Sequence, residues 1–261
     1  MSHPRTMALV ATYMEVGTIC RLVDQLRHHL PDGRIVIVDD QSPDGTAEVA
    51  RRRYGHLAGV EVVSRPGPRG YAAAMREGFE RFLASDAERL VTIDADLSHD
   101  PALTTRMLER VDPAGVVVGS RYLHGAARAD WAAARMVISI LGNHYVRLIT
   151  RLPVADCTSA FRCYARPAVE CLDPARLRAR GYAFQVEVLH QMWRAGCPIA
   201  EVPIVYRDRL VGESKLRVGI LAESLIAPWR LIWHSRRSHS RPRVPMPSRG
   251  RTAPHAPQTL R

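Results

Sequence analysis

Short apolar runs alternate with amphipathic segments over the first 120 residues of the chain. Runs rich in Val, Ile and Leu predict buried β-strands at Met7–Thr12, Arg34–Asp39, Val60–Ser64, Arg89–Asp94 and Ala114–Gly119. Apolar residues at helical spacing between these runs predict helices near 17–30, 45–54, 70–84 and 101–111. This alternation predicts an α/β fold with a doubly wound, mostly parallel sheet. Ligands bind at the carboxyl ends of the strands in such sheets, so the residues that follow each strand are the candidates for chemistry.

The second half of the chain predicts three more helices, at 131–151, 182–195 and 218–233, and a strand at Pro198–Tyr206. The 131–151 helix has a polar row and an apolar row on opposite sides. The polar row consists of Arg135, Ser139, Asn143, Arg147 and Arg151, and the apolar row consists of Ile138, Leu141, Tyr145 and Leu148. The amphipathic 218–233 helix spans about 24 Å, less than the ~30 Å hydrocarbon core, so we expect it to lie on a membrane without crossing it. No apolar run predicts a transmembrane helix or a signal peptide.

Positive charge is concentrated at the end of the chain. The 261 residues include 37 basic and 26 acidic side chains, and a net charge of +11 indicates an anionic partner such as nucleic acid, phospholipid or a phosphorylated substrate. Seven arginines and no acidic residue lie in 234–261, which leaves +4 for residues 1–233. The composition therefore predicts a folded domain over 1–233 and a disordered basic tail over 234–261. A basic tail after an amphipathic helix favours a membrane surface over nucleic acid, for which no binding module is recognisable.

Several common kinds of site are excluded by missing motifs. The first strand is followed by ATYMEVGT, which lacks the Gly-x-Gly-x-x-Gly of dinucleotide-binding folds. Lys215 is the only lysine among the 37 basic residues, and Glu213-Ser214 precedes it, so the chain has no P-loop. Five cysteines without a Cys-x-x-Cys pair disfavour a disulfide framework or a zinc site, and they fit a reducing cytosol.

Carboxylates cluster at the ends of two predicted strands. Asp39 and Asp40 end the second strand, and Asp94 and Asp96 end the fourth. Alternate residues of an extended chain point the same way, so Asp94 and Asp96 can approach one cation. Oxygen ligands alone suit Mg²⁺ or Mn²⁺ shared with substrate phosphates. The alternative is that these carboxylates only cap helices and turns.

These motifs together resemble a known family. The segments VDDQSPDGTAE, RPGPRGYAAAMREGF, DADLSHDP, GSRY, TSAFRCY, GYAFQVEVL, EVPIVYRDR and GESKL occur in this order over roughly residues 7–225. They resemble the inverting, nucleotide-sugar-dependent glycosyltransferases of family 2, and within them the polyprenyl (dolichyl) phosphate mannose synthases. The resemblance implies a GT-A fold, which is a Rossmann-like doubly wound sheet, here with C-terminal amphipathic helices. It divides the domain into a nucleotide-sugar half at about 7–120 and an acceptor and membrane-facing half at about 121–233.

The resemblance also implies roles for particular residues. Tyr13, Glu15 and Asp39 are implied to contact the base and ribose, with Ala11 and Val38 in the same pocket. Asp94 and Asp96 are implied to hold the metal and diphosphate, and Ala95 to approach the sugar nucleotide. The implied cations around the diphosphate or the acceptor phosphate are Arg121, Arg209 and Lys215. The predicted catalytic residues are Asp94, Asp96, Arg121 and Lys215. The chain departs from the family pattern at Ala11 and Met14, where Pro and Asn are common, and at Ser159-Ala160, where two glycines are common.

The function that the resemblance implies is a metal-dependent, inverting transfer of a hexose, with mannose from GDP-mannose favoured, to a polyprenyl (dolichyl) monophosphate. A lipid phosphate is already an oxyanion near neutral pH, so this acceptor needs no strong general base. UDP-glucose is the alternative donor. A soluble hydroxyl acceptor is the alternative acceptor and would need a carboxylate base, for which Asp130, Asp156 and Glu187 are candidates. A nucleic-acid-binding protein is a further alternative, supported by charge alone.

A polyprenyl acceptor implies an enzyme that works at a membrane. We expect a cytoplasmic protein that is peripherally associated with the cytoplasmic membrane, and a membrane-protein partner is possible. The helices at 131–151 and 218–233 are the candidate contacts, because Trp131, Trp229 and Trp233 suit the headgroup region. The alternative is that both helices only pack against the sheet.

Overall fold

The computed structural model describes residues 5–111, 115–128, 133–207 and 226–233. The strands are β1 Thr6–Thr12, β2 Arg34–Asp39, β3 Val60–Ser64, β4 Arg89–Thr92, β5 Val116–Ser120, β6 Ala127–Arg128, β7 Arg162–Ala165, β8 Ile199–Pro203 and β9 Val205–Tyr206. The helices are α1 Ile19–His29, α2 Thr46–Tyr54, α3 Tyr71–Ala84, α4 Leu103–Arg110, α5 Ala133–Thr150, α6 Arg166–Glu170, α7 Gly181–Arg194 and α8 at 226–233, with a 3₁₀ turn at Pro174–Arg176.

Seven of these strands form one sheet in the order β3-β2-β1-β4-β7-β5-β8. All neighbours are parallel except at β7, which runs antiparallel to both β4 and β5. The predicted α/β fold with a doubly wound, mostly parallel sheet is therefore confirmed. Because β2, β1 and β4 are parallel neighbours, the residues that follow them meet at one edge of the sheet.

Two predicted strands differ in extent from those observed. The fourth strand ends at Thr92, so Asp94 lies two residues beyond the ladder, in the loop that follows β4. The predicted strand Pro198–Tyr206 divides in two. β8 pairs with β5 up to Pro203, whereas β9 pairs with β6 in a separate two-stranded sheet. Ile204, between the two strands, donates its N–H to the Ser120 carbonyl after β5 pairing ends and accepts the Ala127 N–H of β6, so the chain passes from one sheet to the other at this residue.

Side chains alternate between the two faces of the sheet and build a core on each. Along β1, Met7 and Leu9 belong to the cluster that packs under α3 and α7, and Ala8 and Val10 belong to the cluster on the other face. Strands buried on both sides need continuous apolar runs, which explains why they were visible in the sequence. Gly78 lets α3 approach β1 closely, because a Cβ there would overlap the Leu9 side chain.

Helix α5 presents three of the four residues of its predicted apolar row to solvent, and the fourth, Tyr145, is partly buried. Ile138, Leu141 and Leu148 are 64%, 63% and 71% exposed. Asn143, from the predicted polar row, is instead buried, because its amide oxygen accepts the Cys157 N–H at 2.9 Å and its amide nitrogen donates to the Ala155 carbonyl. The buried face of α5 matches neither predicted row, because Val146 and Thr150 are buried together with Asn143, whereas Arg147 of the polar row is exposed. No helix in the described ranges is long and apolar enough to cross a membrane.

Candidate active site

The loops after β1, β2 and β4 each contain a non-glycine residue in the left-handed region. These residues are Met14, Gln41 and Leu97, with φ of 57°, 61° and 61°. Each lies within two residues of a predicted site residue, in the segments Tyr13–Glu15, Asp39–Gln41 and Asp94–Leu97. Non-glycine residues adopt this conformation only where the surroundings hold it, and such residues cluster at functional sites. Three of the four non-glycine residues with positive φ among the described residues thus lie at the sheet edge that was predicted to bind the ligand.

The loops after β1 and β2 are joined by three hydrogen bonds. The backbone N–H groups of Met14, Glu15 and Val16 donate to side-chain oxygens of Ser42, Thr46 and Asp44 at 3.0, 3.0 and 3.2 Å. Burial raises the pKa of the Asp44 carboxyl, but its hydrogen bonds with Thr46 and Val16 outweigh burial and lower it. The loop that carries Tyr13 and Glu15 is therefore fixed against the loop that follows Asp39.

Asp39 and Asp40 are both buried, but they have different partners. The Asp39 carboxylate accepts the Ser42 hydroxyl at 2.5 Å and the Ser42 N–H at 2.9 Å, which shapes its own loop. The Asp40 carboxylate pairs with the buried Arg65 guanidinium at 2.7 Å and also accepts the Gly70 N–H at 2.5 Å. Asp40 therefore holds the segment between β3 and α3 over the site.

That segment also reaches the predicted base pocket. Arg69 donates to the Tyr13 hydroxyl at 2.7 Å, and its guanidinium lies 5.4 Å from the Tyr13 ring centroid. Val38 is fully buried, so its side chain packs in the core instead of facing this pocket, whereas Ala11 is partly exposed. The predicted nucleotide residues thus converge on one edge, although they differ in how much of each side chain is accessible.

Asp94 and Asp96 follow β4 and differ in exposure. The Asp94 side chain is 34% exposed, whereas Asp96 is buried and accepts the Ser98 N–H at 3.0 Å. Two carboxylates at a partly open position supply oxygen ligands and leave room for water and phosphate oxygens, which is the donor set that Mg²⁺ and Mn²⁺ favour. Among the described residues, no group of three or more His, Cys, Asp or Glu is arranged to hold a metal. The pair therefore fits a cation that takes its remaining ligands from substrate and water.

A buried histidine packs behind this pair. The His99 ring centroid lies 5.3 Å from that of Phe161 and 5.2 Å from that of Tyr206. Burial lowers the pKa of His99 to about 4, so the ring is neutral at neutral pH. Its Nδ1 lies 3.9 Å from the nearer Asp94 oxygen, which is too far for a hydrogen bond. His99 therefore supports the Asp94–Asp96 loop by packing.

Arg121 forms a buried ion pair with Asp156. Arg121 Nε and Nη2 donate to the two Asp156 oxygens at 2.8 and 2.9 Å, and Nη2 also donates to the Thr158 hydroxyl at 2.6 Å. Burial alone raises the pKa of the Asp156 carboxyl, but the Arg121 guanidinium outweighs burial and lowers it. The same pairing raises the pKa of Arg121 despite its burial. Arg121 is thus a fixed positive charge, and its ring neighbours Tyr122 and Tyr206 each lie 5.5 Å away.

The carboxylates that were considered as bases have structural partners. Asp156 is held by Arg121, as described above. The Glu187 carboxylate accepts the backbone N–H groups of Arg178 and Ala179 at 2.9 and 2.8 Å, and burial raises its pKa. Asp130 lies outside the described residues. Neither Asp156 nor Glu187 is therefore placed as a free base for a hydroxyl acceptor.

Comparison with known proteins identifies the family. The model of glycosyl transferase family 2 matches residues 8–173. An undecaprenyl-phosphate mannosyltransferase of Micrococcus luteus is 34% identical over 222 residues, which cover 85% of this chain and 91% of the relative. The chain belongs to glycosyl transferase family 2. A second relative of this glycosyltransferase, a polyprenol monophosphomannose synthase of Mycolicibacterium smegmatis, is 33% identical over 229 residues, with 86% of each chain covered.

Solved structures agree with the fold of this glycosyltransferase. Glucosyl-3-phosphoglycerate synthase from Mycobacterium tuberculosis, in complex with Mn²⁺, uridine diphosphate and glucosyl-3-phosphoglycerate, superposes with a TM-score of 0.63 at 19% identity. The match covers 87% of this chain and 78% of that chain. The same enzyme in complex with Mn²⁺ and UDP-glucose covers 95% of this chain with a TM-score of 0.61 at 17% identity. The predicted GT-A architecture is thereby confirmed.

The fold of the glycosyltransferase brings most of the predicted site residues to one edge of the sheet, and it adds others. The predicted cations Arg209 and Lys215 lie outside the described residues. Sequence reasoning missed Arg65 and His99, and it assigned Asp156 only as an alternative base. His99 lies within the motif DADLSHDP, so that motif was the available signal. Arg65 and Asp156 act through partners 25 and 35 residues away, and no local pattern indicates such pairs.

Proposed function

We propose that this glycosyltransferase transfers mannose from GDP-mannose to a polyprenyl monophosphate, with inversion at the anomeric carbon. The observation that carries this is the pair of mannosyltransferase relatives, which match over at least 85% of the chain and are named for undecaprenyl-phosphate and polyprenol acceptors. GDP is the nucleotide that the family resemblance implies. The acceptor phosphate would attack the anomeric carbon directly and displace the nucleoside diphosphate.

The chemistry of the site supports a phosphate acceptor. A phosphate monoester is anionic at neutral pH and needs no base to become a nucleophile. The carboxylates that could have served a hydroxyl acceptor, Asp156 and Glu187, are engaged with Arg121 and with backbone N–H groups. Two anions must meet in this reaction, so fixed positive charge in a partly desolvated site lowers the barrier. We assign this task to Arg121, whose guanidinium Asp156 holds in place, together with Arg209 and Lys215.

A small apolar cleft lies beside Arg121, in the half of the domain that is expected to bind the acceptor. The cleft is lined by Val146, Thr158, Ala183, Val186, Ala227, Pro228 and Leu231, which belong to α5, α7, α8 and the loop before β7. Thr158 is the residue whose hydroxyl accepts from Arg121 Nη2. The cleft is only about 30 Å³, the volume of about one water molecule, so the lipid acceptor is supported by the mannosyltransferase relatives and not by this cleft.

We further propose that Mg²⁺ or Mn²⁺ binds Asp94 and Asp96. When bound, such an ion neutralises negative charge on the leaving diphosphate. Asp94 would offer its exposed oxygens, and Asp96 would be held in place by the Ser98 N–H. Asp96→Ala should abolish Mn²⁺ binding. Binding is measured by titration with protein and GDP, because Mn²⁺ that binds loses the electron paramagnetic resonance signal of the free ion. Binding at wild-type strength in a folded Asp96→Ala variant would refute the metal assignment.

A donor screen tests the proposed reaction. The protein is incubated with Mn²⁺ or Mg²⁺, a short polyprenyl phosphate and one labelled nucleotide sugar at a time, and label is counted in the organic extract. We expect GDP-mannose to give the most extractable label. Label from UDP-glucose alone would establish the alternative donor, and no label from any donor would refute the transfer.

We propose that the enzyme works while attached to the cytoplasmic face of a membrane. The exposed apolar residues of α5 and the exposed Trp229 and Trp233 of α8 support this, because aromatic rings favour the headgroup region. Trp229 also donates to the Tyr145 hydroxyl at 2.9 Å, which ties α8 to α5. The seven arginines of 234–261 would add attraction to anionic lipid.

Liposome flotation tests this attachment. Vesicles that contain anionic lipid should carry the wild-type protein, and they should retain less of a Leu141→Ser, Leu148→Ser variant and of a variant that lacks 218–261. Val205→Ser on β9 provides the matched control, because it removes an exposed apolar residue outside α5 and α8 and changes no charge. Equal flotation of all variants would contradict membrane contact through these elements.

A further inference from the structure

The segment that leads into α3 contacts residues of the predicted donor site. Gly70, which precedes the helix, donates its N–H to Asp40, and Arg69 donates to the Tyr13 hydroxyl. The chain before Tyr71 is therefore fastened to the residues assigned to the nucleotide. The Asp94 carboxylate acts electrostatically on the Tyr71 hydroxyl, so the first residue of α3 is also close enough to sense the Asp94 end of the predicted donor site.

A buried polar chain holds Tyr71 from behind. Arg162 is fully buried, faces Thr92 across the β4–β7 pair, and donates to the carbonyl oxygens of Gln185 and Cys157 at 2.8 and 2.9 Å. Among the described residues, no carboxylate lies within ion-pair distance of its guanidinium. The Gln185 side chain is also buried, and its amide nitrogen donates to the Tyr71 hydroxyl. A buried guanidinium with no counter-ion leaves net positive charge close to the end of β4.

The Tyr71 hydroxyl therefore has a proton to donate. Its oxygen accepts from Gln185, and no described residue accepts its proton. Burial, together with the nearby Asp94 carboxylate, raises the pKa of Tyr71 well above its usual value, so the proton stays on the oxygen at neutral pH. The Tyr71 ring packs edge-on against Phe184, with centroids 6.2 Å apart, and this fixes its direction. A neutral donor is useful here because the neighbouring carboxylates repel an anionic ligand.

We propose that Tyr71 is a substrate-contacting residue whose hydroxyl donates a hydrogen bond to the diphosphate of the sugar nucleotide, and that Gln185 is its positioning residue. This inference rests on the proposed function, because it requires a nucleoside diphosphate at the site. Tyr71 would bind the diphosphate in the ground state and stabilise the negative charge that develops on the diphosphate as its bond to the sugar breaks. Gln185 would act by keeping the Tyr71 proton directed away from the protein interior.

Nucleotide titrations in the presence of Mn²⁺ test the assignment, with GDP compared with GMP. Tyr71→Phe should weaken GDP binding by about tenfold, because hydrogen bonds to charged groups are among the stronger ones. GMP lacks the second phosphate, so its affinity should change much less. Tyr164→Phe is the matched control, because it removes another buried hydroxyl near Arg162 that faces the core, and it should bind GDP like the wild type.

Gln185→Glu gives a second test that preserves the size of the side chain. A glutamate would accept the Tyr71 proton instead of donating to its oxygen, so GDP should bind more weakly while GMP is little affected. Wild-type GDP affinity in Tyr71→Phe would overturn the inference and leave the proposed function intact. Equal weakening of GDP and GMP would overturn it too, because the hydroxyl would then be structural. A wild-type protein that binds neither GDP nor UDP would instead refute the proposed function itself.

Discussion

The Arg121–Asp156 pair offers the sharpest test of how this site is held together. Asp156 is completely buried and accepts six hydrogen bonds, from Arg121, Thr158 and Ser159. Asp156→Asn keeps the shape of the side chain, but it removes the negative charge opposite Arg121. The guanidinium then stays 11% exposed without its counter-ion. The variant therefore isolates the charge of the pair from its packing.

The expected cost follows from the burial of the pair. Breaking a buried ion pair by removing one partner costs about 3–5 kcal/mol, because the other charge is left uncompensated. Replacing both partners with apolar residues is often close to neutral. Asp156 also accepts three backbone N–H groups, which an apolar residue would leave unpaired, so the double variant keeps an amide at this position. Arg121→Met combined with Asp156→Asn should be more stable than Asp156→Asn alone, although neither variant should transfer sugar. The pKa of Asp156 is lowered in the fold, so the contribution of the pair is present above pH ~4 and is lost as the pH falls below this.

Urea unfolding at pH 7.5, followed by circular dichroism, measures this cost. The Asp156→Asn midpoint should fall by roughly 1–2 M, as expected for a loss of this size. Ser139→Ala on α5 is a useful comparison, because it removes one hydroxyl contact, with Tyr122, and no charge. A decrease of less than about 1 kcal/mol in Asp156→Asn would refute the view that this pair is a buried, interdependent unit.

Three further outcomes are expected. Gly78→Ala should lower the free energy of unfolding by about 1–3 kcal/mol, because the added methyl overlaps Leu9 where α3 contacts β1. Denaturant unfolding measures this free energy, and an unchanged midpoint would contradict the close packing. Burial lowers the pKa of His190 from 6.5 to about 4, so the contribution of the neutral ring to stability is present above pH 6.5 and is lost as the pH falls toward 4. Between pH 7.5 and pH 5, the free energy of unfolding of wild type should therefore fall by about 2 kcal/mol more than that of His190→Gln. Equal decreases in the two proteins would contradict this. Arg65→Met should leave the buried Asp40 unpaired and release the segment before α3, so GDP affinity should fall together with stability, and wild-type values of both would argue against this role.

The parts of the fold that the sequence predicted are those that depend on local pattern. The strands β1 and β2 are buried on both faces and appear as apolar runs, whereas the edge strand β3 is mostly half-buried. The observed bounds of all three lie within one residue of prediction. Asp94 and Asp96 could be placed because they directly follow such a run. The family resemblance then assigned roles that strand pattern alone could not.

The parts that could not be predicted depend on contacts between distant segments. Arg65 meets Asp40 and Arg121 meets Asp156 only after the sheet has formed, and each partner read alone is an ordinary charged residue. The orientation of α5 had a similar cause. Asn143 is drawn inward by backbone groups of residues 155 and 157, and this turns Leu141 and Leu148 outward. A helical period gives the faces of a helix, whereas the buried face is decided by what lies opposite.

The transfer of labelled mannose from GDP-mannose to a short polyprenyl phosphate tests the account most directly, with wild type and Asp96→Ala compared side by side in Mn²⁺ or Mg²⁺. Both proteins should unfold at similar urea concentrations, which separates catalysis from folding. Wild type should form organic-extractable mannosyl phosphate lipid with inverted anomeric configuration, and Asp96→Ala should form almost none. Absence of product from the wild type, or equal product from both proteins, would contradict a metal-dependent polyprenyl phosphate mannosyltransferase.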